Sequence, residues 1–479
     1  MLEVKKYPTL YVKNFAKIKE AEIELAPFTL FVGDNNSGKS YLASLVWYIR
    51  NIDLLYKFYK DKDYPIIESL NNISNKIINE STSSIKINNE IINDIIKTIN
   101  NILKINKEKI LDDIFNYSGL TVEEIAILEY EVYYDISIDF LINKKTDYNS
   151  NNVREIKYYL DFTFKINNYL EEYKDIEINT QSDLSLFLLK KLYPLIFNSK
   201  HQLFLPISRT GFLLLKDLII QKSVSALLYN PYDLSINIDL TLPIKNFFDQ
   251  LSNILKIYDI VDFNKQIENN IKSKNIIDII EKNILEGSIY IEKKKSIPTS
   301  FQDKLETLFN IKKIFYKSNN LDNDLYMHVS SAVVTEITPL TLFLKYGLDY
   351  DNIIMEEPEI SLHPELQQQL TRVFIKLVNS NTNVLITTHS DTIVQHINNM
   401  IKLNSNNEER KKYLMNKYGY DEDDLISEDK VRMYQFDIEE DRFTKVTKLK
   451  SSEYGFEVPT FNKILKKISD EIYDFQEEL

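Results

Sequence analysis

The stretch GDNNSGKS, residues 33–40, places two glycines, a lysine and a serine at a spacing suited to phosphate. It fits the pattern G-x-x-x-x-G-K-[ST], in which the glycines let the backbone wrap an anion and successive N–H groups face it. Lys39 would reach the β- and γ-phosphates of a nucleotide, and Ser40 would ligate Mg²⁺. The candidate nucleotide-binding residues are therefore Gly33, Asp34, Asn35, Asn36, Ser37, Gly38, Lys39 and Ser40.

The segments on either side of this loop are the ones that a phosphate loop requires. FTLFV before it is typical of a buried strand, and SYLASLVWYIRN after it is typical of an amphipathic helix. The alternative is a chance match, but glycine is scarce here, at 8 of 479 residues. The strand–loop–helix context therefore favours a phosphate site.

Two adjacent carboxylates lie far along the chain, in DNIIMEEPEISLHPELQQQL (351–370). IIM predicts a short buried strand that leads into Glu356 and Glu357, and an open α/β sheet holds its ligand at the carboxyl ends of its parallel strands. We expect Glu356 to contact Mg²⁺ through water and Glu357 to act as the catalytic base on the attacking water. The alternative is a solvated acidic turn, because Pro358 and acidic residues also suit the start of a helix.

A histidine follows another predicted strand, VLITT, in NVLITTHSDTIVQH (383–396). A lone histidine is more often structural than catalytic. His389, however, is expected at the same sheet edge as the phosphate loop, where it could sense the γ-phosphate and hold the attacking water. His363 in SLHP is expected to have a structural or dimer-contact role. No site role is predicted for the remaining histidines, His201, His328 and His396.

Composition and charge narrow the class of protein. The chain has no cysteine, which excludes disulfides, thiolate metal sites and cysteine nucleophiles and favours a reducing compartment such as the cytoplasm. We find no signal-peptide core at the N-terminus and no run of about 18 apolar residues, so no membrane contact is expected. The net charge of −13 does not attract DNA to the chain as a whole, although a local basic groove could bind it.

The order of the motifs GDNNSGKS, VSSAVVTEITPL, IIMEEPEISLHPELQ and VLITTHSD resembles that of the ABC-type ATPases of the RecF, SMC and OLD group. The form EEPE-x-x-LHP-x-x-Q is most similar to the OLD-like branch of AAA-family ATPases. The resemblance implies ATP and Mg²⁺ as cofactors. It makes Lys39 and Ser40 the Walker A lysine and metal ligand, Glu356 and Glu357 the Walker B acid and catalytic base, and His389 the switch histidine.

The segment VSSAVVTEITPL (329–340) stands where this group has its signature motif. The resemblance implies that its helix begins against the γ-phosphate of a second subunit, with Ser330 or Ser331 as the hydroxyl donor. The segment lacks the glycines of the LSGGQ form, and Walker B has Glu-Glu in place of the commoner Asp-Glu. The group's mechanism implies a dimer that ATP holds together and hydrolysis releases, with slow turnover.

A further segment, FLPISRTGFLLLKDLI (204–219), resembles one that this branch carries between the motifs. Arg209 stands out in it, because the chain has only seven arginines. Either Arg209 faces the nucleotide or couples it to the partner surface, or it is a surface arginine at a strand-to-helix turn. The sequence favours neither interpretation.

The wide separation of the motifs predicts an α/β fold: a split ABC-type P-loop ATPase head with a mostly parallel sheet, an antiparallel subdomain and a helical insertion. Ile-rich residues 69–115 are interpreted as a helical hairpin, and EYEVYYDISIDFLI and REIKYYLDFTFKI as antiparallel strands. RMYQFDI and FTKVTKL are expected to be strands, followed by an amphipathic helix. The predicted segments are 1–55 and 325–450 as the two halves of the head, 56–200 as a helical and β insertion, 201–324 as a connecting lobe of helices and a short sheet, and 451–479 as a C-terminal helix.

Three functions fit these observations. The first is a regulatory ATPase subunit of a bacterial antiphage system, similar to the ATPase components of Septu or PARIS, which forms at least a dimer and controls a separate effector such as a nuclease. The second is a DNA-binding repair or maintenance ATPase of the RecF kind. The third, the cytosolic ATPase of a transporter, is disfavoured by the insertion and the missing LSGGQ. We predict no nuclease within the chain, because the residues after His389 lack a DxD-type cluster on plausible strands.

Overall fold

The computed structural model describes residues 7–60, 68–80, 84–128, 136–148, 154–166, 169–178, 181–197, 199–215, 239–258, 271–292, 312–347, 349–452 and 455–477. The elements of the first part are β1 (Thr9–Phe15), β2 (Ile18–Glu24), β3 (Phe28–Gly33), α1 (Lys39–Ile49), α2 (Ile52–Lys60), α3 (Glu68–Glu80), β4 (Ser84–Ile87), α4 (Asn89–Phe115) and β5 (Glu124–Leu128).

The middle part contains β6 (Ile136–Tyr148), β7 (Arg154–Ile166), β8 (Tyr169–Ile178), α5 (Gln181–Phe197), β9 (Gln202–Leu205), α6 (Leu242–Ile257), α7 (Ile271–Ile279), β10 (Gly287–Ile291), β11 (Ile314–Ser318) and β12 (Leu325–Tyr326). The last part contains α8 (Ala332–Tyr346), β13 (Asn352–Glu356), α9 (Pro364–Asn379), β14 (Asn383–Thr388), α10 (Asp391–Asn404), α11 (Glu408–Tyr418), β15 (Val431–Ile438), β16 (Thr444–Lys448), β17 (Ser451–Ser452), β18 (Gly455–Phe456) and α12 (Pro459–Glu477).

The largest sheet has nine strands in the order β5-β1-β2-β16-β15-β3-β14-β13-β9. Its pairings β15–β3, β3–β14, β14–β13, β13–β9 and β16–β2 are parallel, whereas β1–β2, β1–β5 and β15–β16 are antiparallel. Because β3 comes from the start of the chain and its neighbours β14 and β15 come from the last part, the head is split, as predicted. The predicted α/β class and mostly parallel sheet are confirmed.

The large sheet has a hydrophobic core on each face, and the central strand β3 contributes side chains to both. Side chains alternate between the two faces of a strand, and Phe31 packs in one core while Leu30 and Val32 pack in the other. The first core includes residues of α1, α4 and α5, and the second includes residues of α8, α9 and α10. Every residue of β3 is therefore buried, as expected for a parallel strand covered on both sides.

The insertion matches its prediction in part. β6 and β7 pair antiparallel in a four-stranded sheet, β4-β6-β7-β8, although residues 129–135 of the first predicted strand lie outside the described residues. The predicted hairpin over 69–115 contains α3 and α4, but the strand β4 separates them and pairs with β6. Mixed isoleucine spacings do not distinguish a short strand from helix, which explains the missed strand.

Two strands outside the predicted head segments also belong to the large sheet. β5 lies in the segment assigned to the insertion and β9 in the connecting lobe, yet both pair at the sheet edges. The exact segment boundaries stay a prediction. In 180–324, the described residues form helices and the strands β10 and β11, which pair with β12 (Leu325–Tyr326), just beyond this range, in a three-stranded sheet. Among the described helices, none has the length and apolar character needed to cross a membrane.

Candidate functional site

Three neighbouring parallel strands end at one edge of the large sheet. β3 ends at Gly33, β14 at Thr388 and β13 at Glu356, and the register pairs Val32 with Thr388 and Glu356 with Thr387. The phosphate loop, the acidic pair and the histidine therefore follow adjacent strand ends, which is where ligands bind in open α/β sheets. Residues from the two halves of the chain meet at this edge.

The loop after β3 has the backbone that its glycines permit. Gly33 and Gly38 have φ values of 121° and 97°, in the region that favours glycine. A Cβ at Gly33 would collide with the backbone of Phe436 on β15, so this glycine also serves strand packing. A Cβ at Gly38 would lie 3.2 Å from the side chain of Ile18. Gly38 directly precedes α1, so the loop opens onto a helix N-terminus.

The middle of the loop is partly exposed and tied to β15. Asn35 and Asn36 are exposed, while Ser37 is buried and donates its hydroxyl to the carbonyl of Asp34 at 2.7 Å. The carboxylate of Asp34 accepts the N–H of Ile438 at 3.1 Å, and its own N–H donates to the Phe436 carbonyl at 3.0 Å. Asp34 therefore anchors the loop to a neighbouring strand.

The ammonium of Lys39 lies inside the loop. Its Nζ donates to the carbonyls of Gly33 at 3.1 Å and Asp34 at 2.6 Å, and the side chain is buried. Burial lowers the pKa of Lys39 to about 8, although the charges of Glu357, Asp34 and Glu359 oppose the shift. The third hydrogen-bond partner of its Nζ is the Ser37 hydroxyl at 3.4 Å, so all three are uncharged. A buried cation with uncharged hydrogen-bond partners is incompletely compensated, and a phosphate group would supply further negative charge.

Ser40 and Glu356, the two residues assigned to the metal, are in contact. The Ser40 hydroxyl hydrogen-bonds the Glu356 carboxylate, whose Oε2 also accepts the N–H of Ile207 at 3.1 Å. Burial raises the pKa of Glu356, and these two hydrogen bonds oppose the shift. A hydroxyl and a carboxylate are hard oxygen donors of the kind that Mg²⁺ prefers beside nucleotide phosphates, so the pair fits that ion.

Glu357 and His389, the two catalytic candidates, face each other. Glu357 Oε1 lies 3.7 Å from His389 Nε2, which is longer than a hydrogen bond. Burial, followed by the charge of Lys39, lowers the pKa of His389 to about 4, so the ring is neutral near neutral pH and forms no ion pair. Glu357 has a φ of 40°, an unfavourable value for a non-glycine residue, and its N–H donates to the Thr387 carbonyl at 2.8 Å.

Arg209 is fully buried behind the carboxylates, so the interpretation as a surface arginine is wrong. Its Nη1 donates to the Glu356 carbonyl at 2.7 Å and its Nη2 to the Glu357 carbonyl at 3.2 Å. Its Nε lies 3.0 Å from Oε2 of Glu336 on α8. The guanidinium therefore holds the backbone of the acidic pair and connects it to the helix predicted to contact a second subunit.

Glu359 was not predicted as a site residue, although it lies in the same acidic motif. Its Oε1 accepts the backbone N–H of His389 at 2.6 Å. Burial raises the pKa of this carboxyl group, and the His389 N–H is the first of the hydrogen bonds that oppose the shift. The contact joins residues 30 positions apart, which no local spacing in the sequence reveals.

Residues 8–394, most of the chain, match the family described as the AAA ATPase domain. The chain belongs to the AAA ATPase domain family. No curated protein matches the sequence of this AAA ATPase domain protein.

Solved structures of Smc heads are among those similar to this AAA ATPase. A Smc head bound to the C-terminal winged-helix domain of ScpA is 13% identical, with a TM-score of 0.36, over 92% of this chain and 98% of that one. A Pyrococcus furiosus Smc head with an extended coiled coil, bound to a ScpA domain, is 12% identical, with a TM-score of 0.35, over 97% and 99%. The Thermotoga maritima SMC head domain is 9% identical, with a TM-score of 0.30, over 92% and 98%.

The segment 329–340, predicted to be the signature motif, includes the exposed start of α8. Ser331 caps the helix by accepting the N–H of Val334 at 3.4 Å, and the Ser330 hydroxyl donates to the Tyr326 carbonyl at 3.0 Å. Both serines make hydrogen bonds to residues within four positions along the chain. The choice between Ser330 and Ser331 as the donor to a second subunit therefore stays open.

Two histidines lie outside the site: His363 caps a helix, and His396 packs in the interior. His363 is exposed and caps α9, with Nδ1 accepting the N–H of Glu365 at 3.5 Å; its predicted dimer contact stays a prediction. His396 is buried on α10 with its ring centroid 5.9 Å from that of Tyr420. Burial lowers the pKa of His396 to about 4.

Proposed function

We propose that this chain hydrolyses ATP slowly and acts as a nucleotide-controlled switch that dimerises through its nucleotide sites. The observation that carries the proposal is the convergence, at one sheet edge, of a cation inside a phosphate loop, a Ser–Glu oxygen pair, and a carboxylate facing a neutral imidazole. The residues concerned are Lys39, Ser40, Glu356, Glu357 and His389.

Each side chain has a role that its position supports. Lys39 neutralises phosphate charge, and the N–H groups of the loop and α1 orient the phosphates. Glu357 accepts a proton from the attacking water, and neutral His389 holds that water by a hydrogen bond. When bound, Mg²⁺ supplies further charge neutralisation, and Ser40 and Glu356 are the residues that would hold it. Arg209 and Glu359 act as positioning residues.

The dimer in this proposal uses the exposed start of α8. A helix N-terminus carries unpaired N–H groups and a partial positive charge, which suits the γ-phosphate held by a second copy. Ser330 and Ser331 lie at this terminus, and the neighbouring Val329 is more than half exposed. ATP bound between two heads would then stabilise the assembly, and its hydrolysis would release it.

The partner in this proposal is a separate effector, and the setting is bacterial antiphage defence. This step rests on the resemblance of EEPE-x-x-LHP-x-x-Q to the OLD-like branch. Co-purification of the full chain with the products of its native operon tests it. A discrete stoichiometric effector supports the proposal, whereas an ATP-dependent, salt-sensitive shift of DNA by the purified chain alone favours the RecF-like alternative.

The hydrolysis step is tested with two variants and a control. Lys39→Ala is expected to lose ATP binding, because the cation inside the loop is removed. Glu357→Gln is expected to bind ATP and stay dimeric while its turnover falls about 10²- to 10⁴-fold, the range for loss of a general base. Glu365→Gln, an exposed change on α9, is the matched control. Wild-type turnover by Glu357→Gln would refute the base assignment, and a wild-type chain that binds no ATP would refute the whole proposal.

A further inference from the structure

The C-terminal helix α12 carries large apolar side chains on its surface. Ile468, Ile472 and Phe475 are 47%, 52% and 67% exposed. All the side chains from Lys466 to Phe475 are exposed, so the described part of the chain leaves this half of the helix uncovered. Exposed apolar side chains in a row commonly mark an interaction surface.

The spacing of the apolar residues on α12 indicates what kind of surface it is. Successive members of the set Phe461, Leu465, Ile468, Ile472 and Phe475 are four, three, four and three residues apart. This alternation is the a/d spacing of a helix that packs along another helix, although Ile464 and Tyr473 are large side chains outside this spacing. The pattern therefore favours a helical partner.

The charges of α12 favour a particular orientation of that partner. Lysines occupy the first half of the helix and acidic residues the second: Lys463, Lys466 and Lys467, followed by Asp470, Glu471, Asp474 and Glu477. One pair, Lys467 and Glu471, lies within 3.7 Å along the helix itself. This order is unfavourable in an isolated helix, because acidic residues at its C-terminus oppose the macrodipole. A second copy in antiparallel orientation places its acidic half beside the basic half and opposes the two dipoles.

We propose that α12 pairs antiparallel with α12 of a second copy and forms a self-association interface that needs no nucleotide. The contact is isologous, since each helix presents the same stripe to the other across a two-fold axis. A helix of 19 residues is about 28 Å long, enough for about two and a half heptads. This interface is separate from the start of α8, so a chain that also associates through ATP would have two self-association surfaces.

The first test measures the mass of the full chain by light scattering over a micromolar concentration series, without nucleotide and with EDTA. The wild-type chain and Lys39→Ala are both expected to dimerise. Ile468→Asn with Ile472→Asn is expected to raise the dissociation constant about 100-fold or more, because four buried isoleucines are lost per dimer. Ile105→Asn with Leu321→Asn is the matched control, since it also replaces two exposed apolar side chains with asparagine but lies outside α12.

The second test determines the orientation of the two helices. Because the chain has no cysteine, Asn462→Cys and Gln476→Cys each introduce a single thiol. Antiparallel pairing predicts a disulfide between the two variants when they are mixed and mildly oxidised, with little self-linkage of either. Self-linkage of each variant without the mixed product would indicate parallel helices and refute the orientation.

The outcomes separate this interface from the proposed ATP switch. A nucleotide-free wild-type chain that stays monomeric over the whole series would overturn the inference, as would a dimer that the isoleucine double variant leaves intact. If α12 instead binds a different protein, the purified chain stays monomeric, and that result would also count against the inference. Since Lys39→Ala is tested without ATP, failure of the switch would leave a dimer through α12 unaffected.

Discussion

Arg209 and Glu336 form an ion pair inside the protein, with 3.0 Å between Nε and Oε2 and side-chain exposures of 0% and 8%. The Nε–H itself donates to the Glu336 carbonyl at 3.3 Å, and Oε2 receives no hydrogen bond from the described residues, so the contact between the charges is electrostatic. Because Arg209 also holds the carbonyls of Glu356 and Glu357, this pair connects the start of α8 to the acidic edge of the sheet.

Arg209→Ala is expected to destabilise the protein by about 3–5 kcal/mol, because it leaves a buried carboxylate uncompensated. Turnover should fall at least about 10-fold, since the backbone that carries Glu357, the proposed catalytic base, loses the two donors of the Arg209 side chain. Urea unfolding and ATPase assays of the same preparation measure both effects.

The control is Arg410→Ala, which removes an exposed arginine on α11 and should change stability by less than about 0.5 kcal/mol. Equal unfolding free energies of the two variants would mean that the buried pair of Arg209 and Glu336 does not contribute to stability.

The phosphate loop could be predicted because its chemistry depends on eight contiguous residues between two recognisable elements. The acidic pair and His389 could be predicted because each follows an apolar run that forms a parallel strand. The clash of a Gly33 Cβ with Phe436 could not be predicted, since it depends on which strand lies beside β3. The same holds for Arg209, whose partners on α8 and β13 are set by packing between distant segments.

The contact of Glu359 with the His389 backbone leads to a second prediction. Glu359→Ala is expected to lower kcat about 10- to 100-fold, because His389 loses the acceptor that holds it, while the Kd for ATP changes little. Glu359→Gln keeps an acceptor oxygen and should recover most of the rate. Glu365→Ala, an exposed change on α9, is the control. Equal loss in the alanine and glutamine variants would show that the charge matters and not the hydrogen bond.

The predicted trans contact of α8 can be tested by mixing inactive chains. A chain with Ser330→Arg and Ser331→Arg blocks the start of α8 but keeps Lys39. Mixed with Lys39→Ala, it should recover about a quarter of wild-type turnover, because half of the randomly formed dimers contain one intact composite site of two.

The matched control mixes Lys39→Ala with Glu357→Gln. Both residues belong to the same site of one chain, so no intact site forms and no activity should return. Recovery in this control, or none in the first mixture, would contradict a site shared between α8 of one copy and the phosphate loop of the other. The single serine variants then identify which hydroxyl is needed.

His396 makes the stability of the protein sensitive to acid. Burial, followed by the charge of Arg372, lowers its pKa from 6.5 to about 4, while Asp424 opposes the shift, and Nε2 is buried without a hydrogen-bond partner among the described residues. The unfolded chain therefore takes up a proton below about pH 6.5, whereas the folded chain does so only near pH 4. The stability that neutral His396 contributes is fully present above about pH 6.5, and it is lost as the pH falls from about 6.5 to about 4.

At about pH 5 this loss amounts to about 2 kcal/mol relative to neutral pH. His396→Phe, which keeps a ring beside Tyr420, should reduce by that amount the difference in unfolding free energy between the two pH values. Urea unfolding at both pH values measures it. His389 has a similarly lowered pKa but is present in both proteins, so its contribution cancels in the comparison. An unchanged pH dependence in the variant would mean that His396 is protonated in the folded protein at about pH 5.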